Sequence, residues 1–340
     1  MENLSPELRV LYEKRLWHEL TEKLMELDGQ TLNSIWSQIT QFSERLNQIK
    51  LVLLAVKASE TQDSAEARKF LESVEATEHQ AGLLLRVNIA KKALSQGSVS
   101  EAQTILDDNQ AEIERMTDLD SVLYSHLYGA LAQLNKSVGN PELFYKYSLQ
   151  FLAYTPPEDV PNREELAFQL GIAVLSAETI YNLGELLEQP ILKSLEGSAN
   201  AWLHELLHLF NEGKVSEIQQ RFPNLPKELQ TEQLMRKARI LAMMEHIFSK
   251  SSWVLSFSEL AQVMHVGEEE VEWLLMKAMA LGLLEGKIDE VSKQVTIKWL
   301  QPKVLDIQRL SVLQSRISDW KVRVKEVLNY LEDQSKEILS

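Results

Sequence analysis

The run Trp253-Val254-Leu255-Ser256-Phe257-Ser258-Glu259-Leu260-Ala261-Gln262-Val263-Met264 decides how the rest of the chain is read. Trp253 to Phe257 is β-prone. Ser258 is placed to N-cap a helix reaching Met264, with Ala261 at the third position, so only half of a capping box is present. Val266-Gly267 turns the chain into a second helix, Glu268 to Leu281, which Gly282 closes. Leu284 to Asp289 and Gln294 to Trp299 then read as two strands around the turn Glu290-Val291-Ser292-Lys293. Strand, helix, helix and a two-stranded wing make a winged-helix domain, a relative of the helix-turn-helix.

C-terminal to this domain, Leu310, Leu313, Ile317, Trp320, Val324, Val327 and Leu331 step by 3 and 4 in strict alternation. This is a heptad seam on a helix of about thirty residues. One helix cannot bury such a seam against itself, so helices from other subunits are expected to cover it. Packing back onto its own chain is the alternative.

Before residue 250 nearly everything reads at helical spacing. Leu4, Leu8, Leu11, Tyr12 and Leu16 form one stripe; Leu83, Leu84, Val87, Ala90, Lys91 and Leu94 form another, with Lys91 its polar intruder. Gly97, Gly139, Gly184 and Gly213 are each followed by an apolar residue that opens a new helix, as helical hairpins require. Such hairpins bury their apolar faces only by stacking, so a right-handed, TPR-like solenoid is expected, with an ordinary bundle as the alternative. Residues 60–80 are polar and read as a solvated helix pair or a loop. Thr155-Pro156-Pro157-Glu158-Asp159-Val160-Pro161 reads as a rigid connection between hairpins. The fold class is therefore mainly α. The expected divisions are N-terminal helical repeats over 1–140, a second helical part over 141–250, the winged helix over 251–304 and the terminal helix over 305–340.

Composition excludes several classes. Only 12 Gly and 9 Pro in 340 residues argue against turn-dense all-β folds. With no cysteine there is no disulfide, thiolate nucleophile or iron–sulfur cluster, which suits a reducing compartment. The net charge of −15 disfavours nucleic acid or an anionic membrane as partner. The N-terminus lacks the pattern of a signal peptide, and the longest apolar run, Leu51 to Val56, is far short of a membrane span. A soluble protein of the cytoplasm and nucleus is expected.

The second helix of a winged helix ordinarily meets the major groove. Here it begins Glu268-Glu269-Glu270-Val271-Glu272, with Lys277 its one basic residue. Carboxylates would face phosphates, so this domain reads as a protein-interaction module. Val295, Thr296 and Ile297 are expected to offer a strand edge to another chain.

The sharpest catalytic pattern is His204-Glu205-Leu206-Leu207-His208, which matches H-E-x-x-H. Two histidines at i and i+4 can hold zinc beside a glutamate base. Asn211 and Lys214 stand where the extended motif needs Gly and a third His. Glu228 or Glu232 as a third ligand lies beyond Pro223 and Pro226, and the apolar stripe Leu203, Leu206, Leu207, Phe210 leaves both histidines on the polar flank. Two surface histidines are the expectation, with a zinc peptidase the alternative from another class. No phosphate-binding glycine loop or nucleophile elbow is present, and no cofactor is expected.

A helical solenoid running into a winged helix and a bundle-forming helix resembles the PCI-domain subunits, and within them those of the proteasome lid. The likeness rests on Ile180-Tyr181-Asn182-Leu183-Gly184-Glu185-Leu186-Leu187 with Pro190-Ile191-Leu192, on Leu255-Ser256-Phe257, and on Ala280-Leu281-Gly282-Leu283-Leu284-Glu285-Gly286-Lys287-Ile288-Asp289-Glu290-Val291. The tail Val295-Thr296-Ile297-Lys298-Trp299-Leu300-Gln301-Pro302-Lys303-Val304 belongs to it, with Lys303 where Arg is more usual. Motifs are dense over 140–335 and sparse over 1–140.

The resemblance implies a non-catalytic scaffold. Its winged helix would pair with a neighbouring PCI subunit and its last helix would join a helical bundle. Its N-terminal solenoid would reach toward the ubiquitin-receptor subunit. A PCI subunit of the signalosome or of a translation-initiation factor is the alternative within the class.

Overall fold

Two devices shape the helical part: apolar residues at 3.6-residue spacing, and glycines that reverse the chain. The computed structural model describes residues 6–117, 119–224, 229–250, 253–303 and 307–339. Leu4, Pro226, Glu228 and Val304, named above, lie outside these. The chain forms two compact units, Met1–Ala177 and Glu178–Ser340, dividing inside the span 141–250.

The first unit holds ten helices among its described residues: α1 (Pro6–Glu13), α2 (Trp17–Glu26), α3 (Gly29–Ile39), α4 (Gln48–Ser59), α5 (Ser64–Glu72), α6 (His79–Ser95), α7 (Val99–Ile113), α8 (Ser121–Val138), α9 (Pro141–Tyr154) and α10 (Arg163–Ser176). Sequential helices pack on one another, and α6 also touches α4 and α8, so the hairpins stack in layers. Leu83, Leu84, Val87 and Ala90 of α6 are buried, whereas Lys91 is exposed. Gly97 (φ 82°) and Gly139 (φ 80°) take the left-handed conformation that ends α6 and α8. Asn140 then accepts a hydrogen bond from the Leu143 amide at 3.2 Å, and Pro141 occupies the first turn, so α9 starts at once.

Two local expectations change here. The first stripe does not reach Leu16, because α1 ends at Glu13, Arg15 turns left-handed (φ 57°) and Leu16 is exposed. Residues 60–80 hold the single helix α5, anchored by buried Ala67 and Leu71, an i, i+4 pair.

In the second unit come α11 (Gly184–Leu187), α12 (Ala201–Glu212), α13 (Val215–Arg221) and α14 (Thr231–Ser249). β1 (Val254–Ser256), α15 (Phe257–Met264), α16 (Glu268–Ala280), β2 (Leu284–Asp289), β3 (Gln294–Leu300) and α17 (Ile307–Leu339) follow. Gly213 (φ 70°) closes α12 as expected, and a Cβ there would stand 2.7 Å from the Ala242 Cα, so glycine also permits the close approach of α14. Gly184 differs: it is buried and opens α11 rather than ending a helix. No helix among the described residues is long and apolar enough to cross a membrane.

The winged helix follows its sequence pattern closely. Its antiparallel sheet has the order β1-β3-β2 and encloses Leu255, Phe257, Leu260, Val271, Leu275, Val295 and Ile297 with α15 and α16. The cap of α15 is Ser256, not Ser258: the Ser256 hydroxyl accepts from the Glu259 amide at 3.3 Å. Pairing of Ser256 with Gln294 ends the strand there, and burial of Phe257 makes it the first helical residue. At the wing, the Asp289 carboxylate accepts from the Val291 and Ser292 amides, each at 3.1 Å, which fixes the turn.

One buried polar pair links α6 to α8 in the first unit. Asn88 donates to the Leu84 carbonyl at 2.8 Å, leaving its Oδ1 to accept from His126 Nδ1 at 3.1 Å. Burial, with the Lys91 charge a smaller cause, lowers the His126 pKa to about 4. Below pH 6.5 the unfolded chain therefore takes up a proton that the folded chain refuses, and stability falls toward pH 4. Replacing His126 by Gln is expected to remove a loss on the order of 2 kcal/mol between pH 7 and 4.5. Urea unfolding of both proteins at the two pH values checks this.

Candidate partner-binding surfaces

Helix α14 holds the winged helix in place. Lys303, just past β3, is buried, and its ammonium reaches Glu245 Oε2 of α14 at 2.8 Å and the Asn211 carbonyl at the end of α12 at 3.4 Å. On the same helix His246 Nε2 lies 2.8 Å from Glu259 Oε1 of α15, and Lys250 lies 2.7 Å from that oxygen. The Lys250 hydrogen bond, then that of His246, holds the Glu259 carboxyl below its ordinary range. Arg239 pairs with Glu270 of α16 at 3.3 Å, and the Arg236 guanidinium lies 5.6 Å from the centre of the Trp273 ring. The sequence marked none of these contacts; its one signal was a lysine in an otherwise matching tail.

The strand expected to offer an edge does not. β3 is the central strand, hydrogen-bonded to β1 and β2, and Val295 and Ile297 face the core; only Thr296 is exposed. The correction has a simple cause: β1 pairs onto β3 through Val254 to Ser256, which occupies the edge a two-stranded wing would leave open. The outer edges belong to β1 and β2.

The heptad helix is as expected in form. α17 is one continuous helix of 33 residues, about 50 Å long. Leu310, Leu313, Ile317, Trp320, Val324, Val327 and Leu331 are all exposed, Trp320 at 67%. Leu328 and Tyr330, also exposed, flank the seam and widen its C-terminal half. A seam this broad suits a bundle of several helices better than a two-stranded coil.

At His204-Glu205-Leu206-Leu207-His208 the four apolar residues Leu203, Leu206, Leu207 and Phe210 are buried. The two imidazoles lie edge to face, ring centres 4.7 Å apart, and burial, then the His204 charge, lowers the His208 pKa. Glu205 makes a 2.6 Å ion pair with Arg221. A Glu196 carboxylate oxygen lies 4.0 Å from His204 Nε2. Among the described residues no cluster of three His, Cys, Asp or Glu is arranged to hold a metal ion.

The start of α16 keeps its acidic character. Glu268, Glu269 and Glu270 fill its first turn, where they complement the helix dipole, and only Glu270 meets an arginine. A phosphate backbone would find repulsion there.

Two family models match end to end: PSD13 N-terminal repeats over residues 5–207 and the PCI domain over residues 207–299. The chain belongs to the 26S proteasome non-ATPase regulatory subunit 13 family. It is 34% identical to regulatory subunit 13 homolog A of Arabidopsis thaliana, covering 97% of this chain and 93% of that relative. It is 29% identical to regulatory subunit 13 of Dictyostelium discoideum, over 97% and 92%. Eukaryotic translation initiation factor 3 subunit M of the same organism is 26% identical, over 67% and 61%. The subunit 13 match thus extends through residues 1–140, where the sequence motifs are sparse.

The buried Lys303–Glu245 contact ties the end of β3 to α14. Removing one partner leaves the other charge desolvated, at a cost of about 3–5 kcal/mol. Lys303→Met is therefore expected to destabilise strongly, and Lys303→Met with Glu245→Leu to recover most of the loss. Denaturant midpoints of the single and double variants test this.

Proposed function

We propose that this chain is a scaffold subunit of the lid of the 26S proteasome regulatory particle, supporting lid assembly and thereby ubiquitin-dependent protein degradation. Family membership supports the particle, and one observation carries the mechanism: α17 presents an apolar seam that the described residues of its own chain leave exposed. Ten large apolar side chains exposed along one helix mark a surface built for partners. In this reading α17 joins a helical bundle with other lid subunits. The winged helix meets the winged helix of a neighbouring PCI subunit, with the outer edge of β2 rather than β3 available for strand pairing. The N-terminal solenoid reaches toward the ubiquitin-receptor subunit.

The role is non-catalytic and needs no cofactor, since the H-E-x-x-H segment commits Glu205 to Arg221. The protein works in the cytoplasm and nucleus, where the particle acts.

Deleting residues 306–340 is expected to leave a cooperatively unfolding protein that fails to enter the lid. The point variant Trp320→Asp should lower incorporation at least tenfold with the unfolding midpoint unchanged. Quantitative mass spectrometry of affinity-purified particles reads both. Normal incorporation of either variant overturns the bundle role, and recovery of the chain with initiation-factor subunits in place of lid subunits overturns the assignment.

A further inference from the structure

The first unit contains a cavity of about 230 Å³ between α6, α8, α9 and α10. Its walls are apolar, with Phe144, Phe151 and Leu166 facing the small residues Gly129 and Ala132. Gly129 matters here: a Cβ at that position would stand 3.2 Å from the Phe151 ring, so any side chain would crowd the wall.

Its charged lining is two lysines and one glutamate, Lys91, Lys136 and Glu165. Lys91 and Lys136 line it, and Lys91 has no carboxylate within ion-pair distance among the described residues. Lys136 reaches Glu165 only at 4.0 Å, and Glu165 also takes a 2.6 Å hydrogen bond from Gln169. The neighbouring His126 is held neutral by its burial, so it adds no charge of its own. Two ammonium groups against one lining carboxylate stand out in a unit with 16 basic and 26 acidic residues. Lys91 keeps contact with solvent, yet the protein packed around it pulls its ammonium below its ordinary range, with the Glu60 charge opposing this; a bound anion would relieve the penalty.

The cavity also holds an unused hydroxyl. Ser148 is 1% exposed, yet its Oγ has no hydrogen-bond partner. A helical serine ordinarily turns its hydroxyl back to the carbonyl four residues earlier. At the rim Asn162 is held left-handed (φ 48°, ψ 53°), and its side chain does not cap the helix it precedes.

We infer that this cavity is a receptor for an acidic, apolar segment of a partner protein, whose carboxylate is received by Lys91 and Lys136 while a neighbouring Leu or Phe side chain packs on Phe144 and Phe151. The volume favours a peptide over a metabolite. It lies below the roughly 300–1,000 Å³ of small-molecule pockets and suits one or two anchor side chains of a longer segment.

The test uses the full chain and a fluorescein-labelled octapeptide with a central Asp-Glu-Leu-Phe. Two controls carry Asn-Gln in place of the acids, or Ala-Ala in place of the apolar pair. Saturable binding of the first peptide is expected by fluorescence anisotropy, weakened about tenfold or more in each control. Lys91→Gln and Lys136→Gln should each weaken it about fivefold, with the thermal unfolding midpoint unchanged. The proposal is overturned if the acidic peptide does not bind up to millimolar concentration, or if the lysine variants bind it as well as the parent. Equal binding of the Asn-Gln peptide, or full competition by glutarate at the peptide's own concentration, also overturns it.

Discussion

The contact on which the second unit depends is the buried pair of Lys303 with Glu245, closed by the Asn211 carbonyl. It joins the end of β3 to α14 and to the end of α12 at one point. A charge this deep is costly unless geometry and hydrogen bonds are good, so the pair tolerates little displacement. The other contacts of α14, His246 and Lys250 to Glu259 and Arg239 to Glu270, lie nearer solvent and add orientation more than energy. Together they make α14 a common spine of the second unit, with α12 and α13 packed on it as well as the winged helix. Lys303 stands four residues before α17.

Charge is divided in keeping with this arrangement. Residues 1–230 carry 20 basic and 34 acidic residues, a net of −14, whereas residues 231–340 carry 15 and 16, a net of −1. The helical layers are kept soluble by their acidity. The winged helix and α17 are nearly neutral. Local placement decides what the total only suggests: Glu268 and Glu269 at the start of α16 oppose phosphate where a nucleic-acid reader would need lysine or arginine.

What the sequence made legible followed from periodicity. The 3-and-4 step gave α17 its length and its seam, and alternation over Leu284 to Asp289 gave β2 to the residue. Contacts between elements distant in sequence were hidden. Nothing local shows that Val254 to Ser256 would cover one side of β3, or that Lys303 would find Glu245, 58 residues away. Capping was misplaced by two residues because Ser256 and Ser258 are chemically alike, and only the buried side chain of Phe257 separates them. Gly184 has the same sequence context as Gly213. The close approach of Ala242 and the positive φ that distinguish Gly213 are tertiary facts.

The central claim is that α17 is an interface rather than a strut of its own chain. Hydrogen exchange at the amides of Leu313 to Leu331 tests it most directly, comparing the isolated chain with the chain in purified regulatory particles. The account predicts exchange within seconds to minutes in isolation, as for a helix without tertiary cover, and at least hundredfold slowing in the particle. Strong protection already present in the isolated chain, or none gained in the particle, would contradict it.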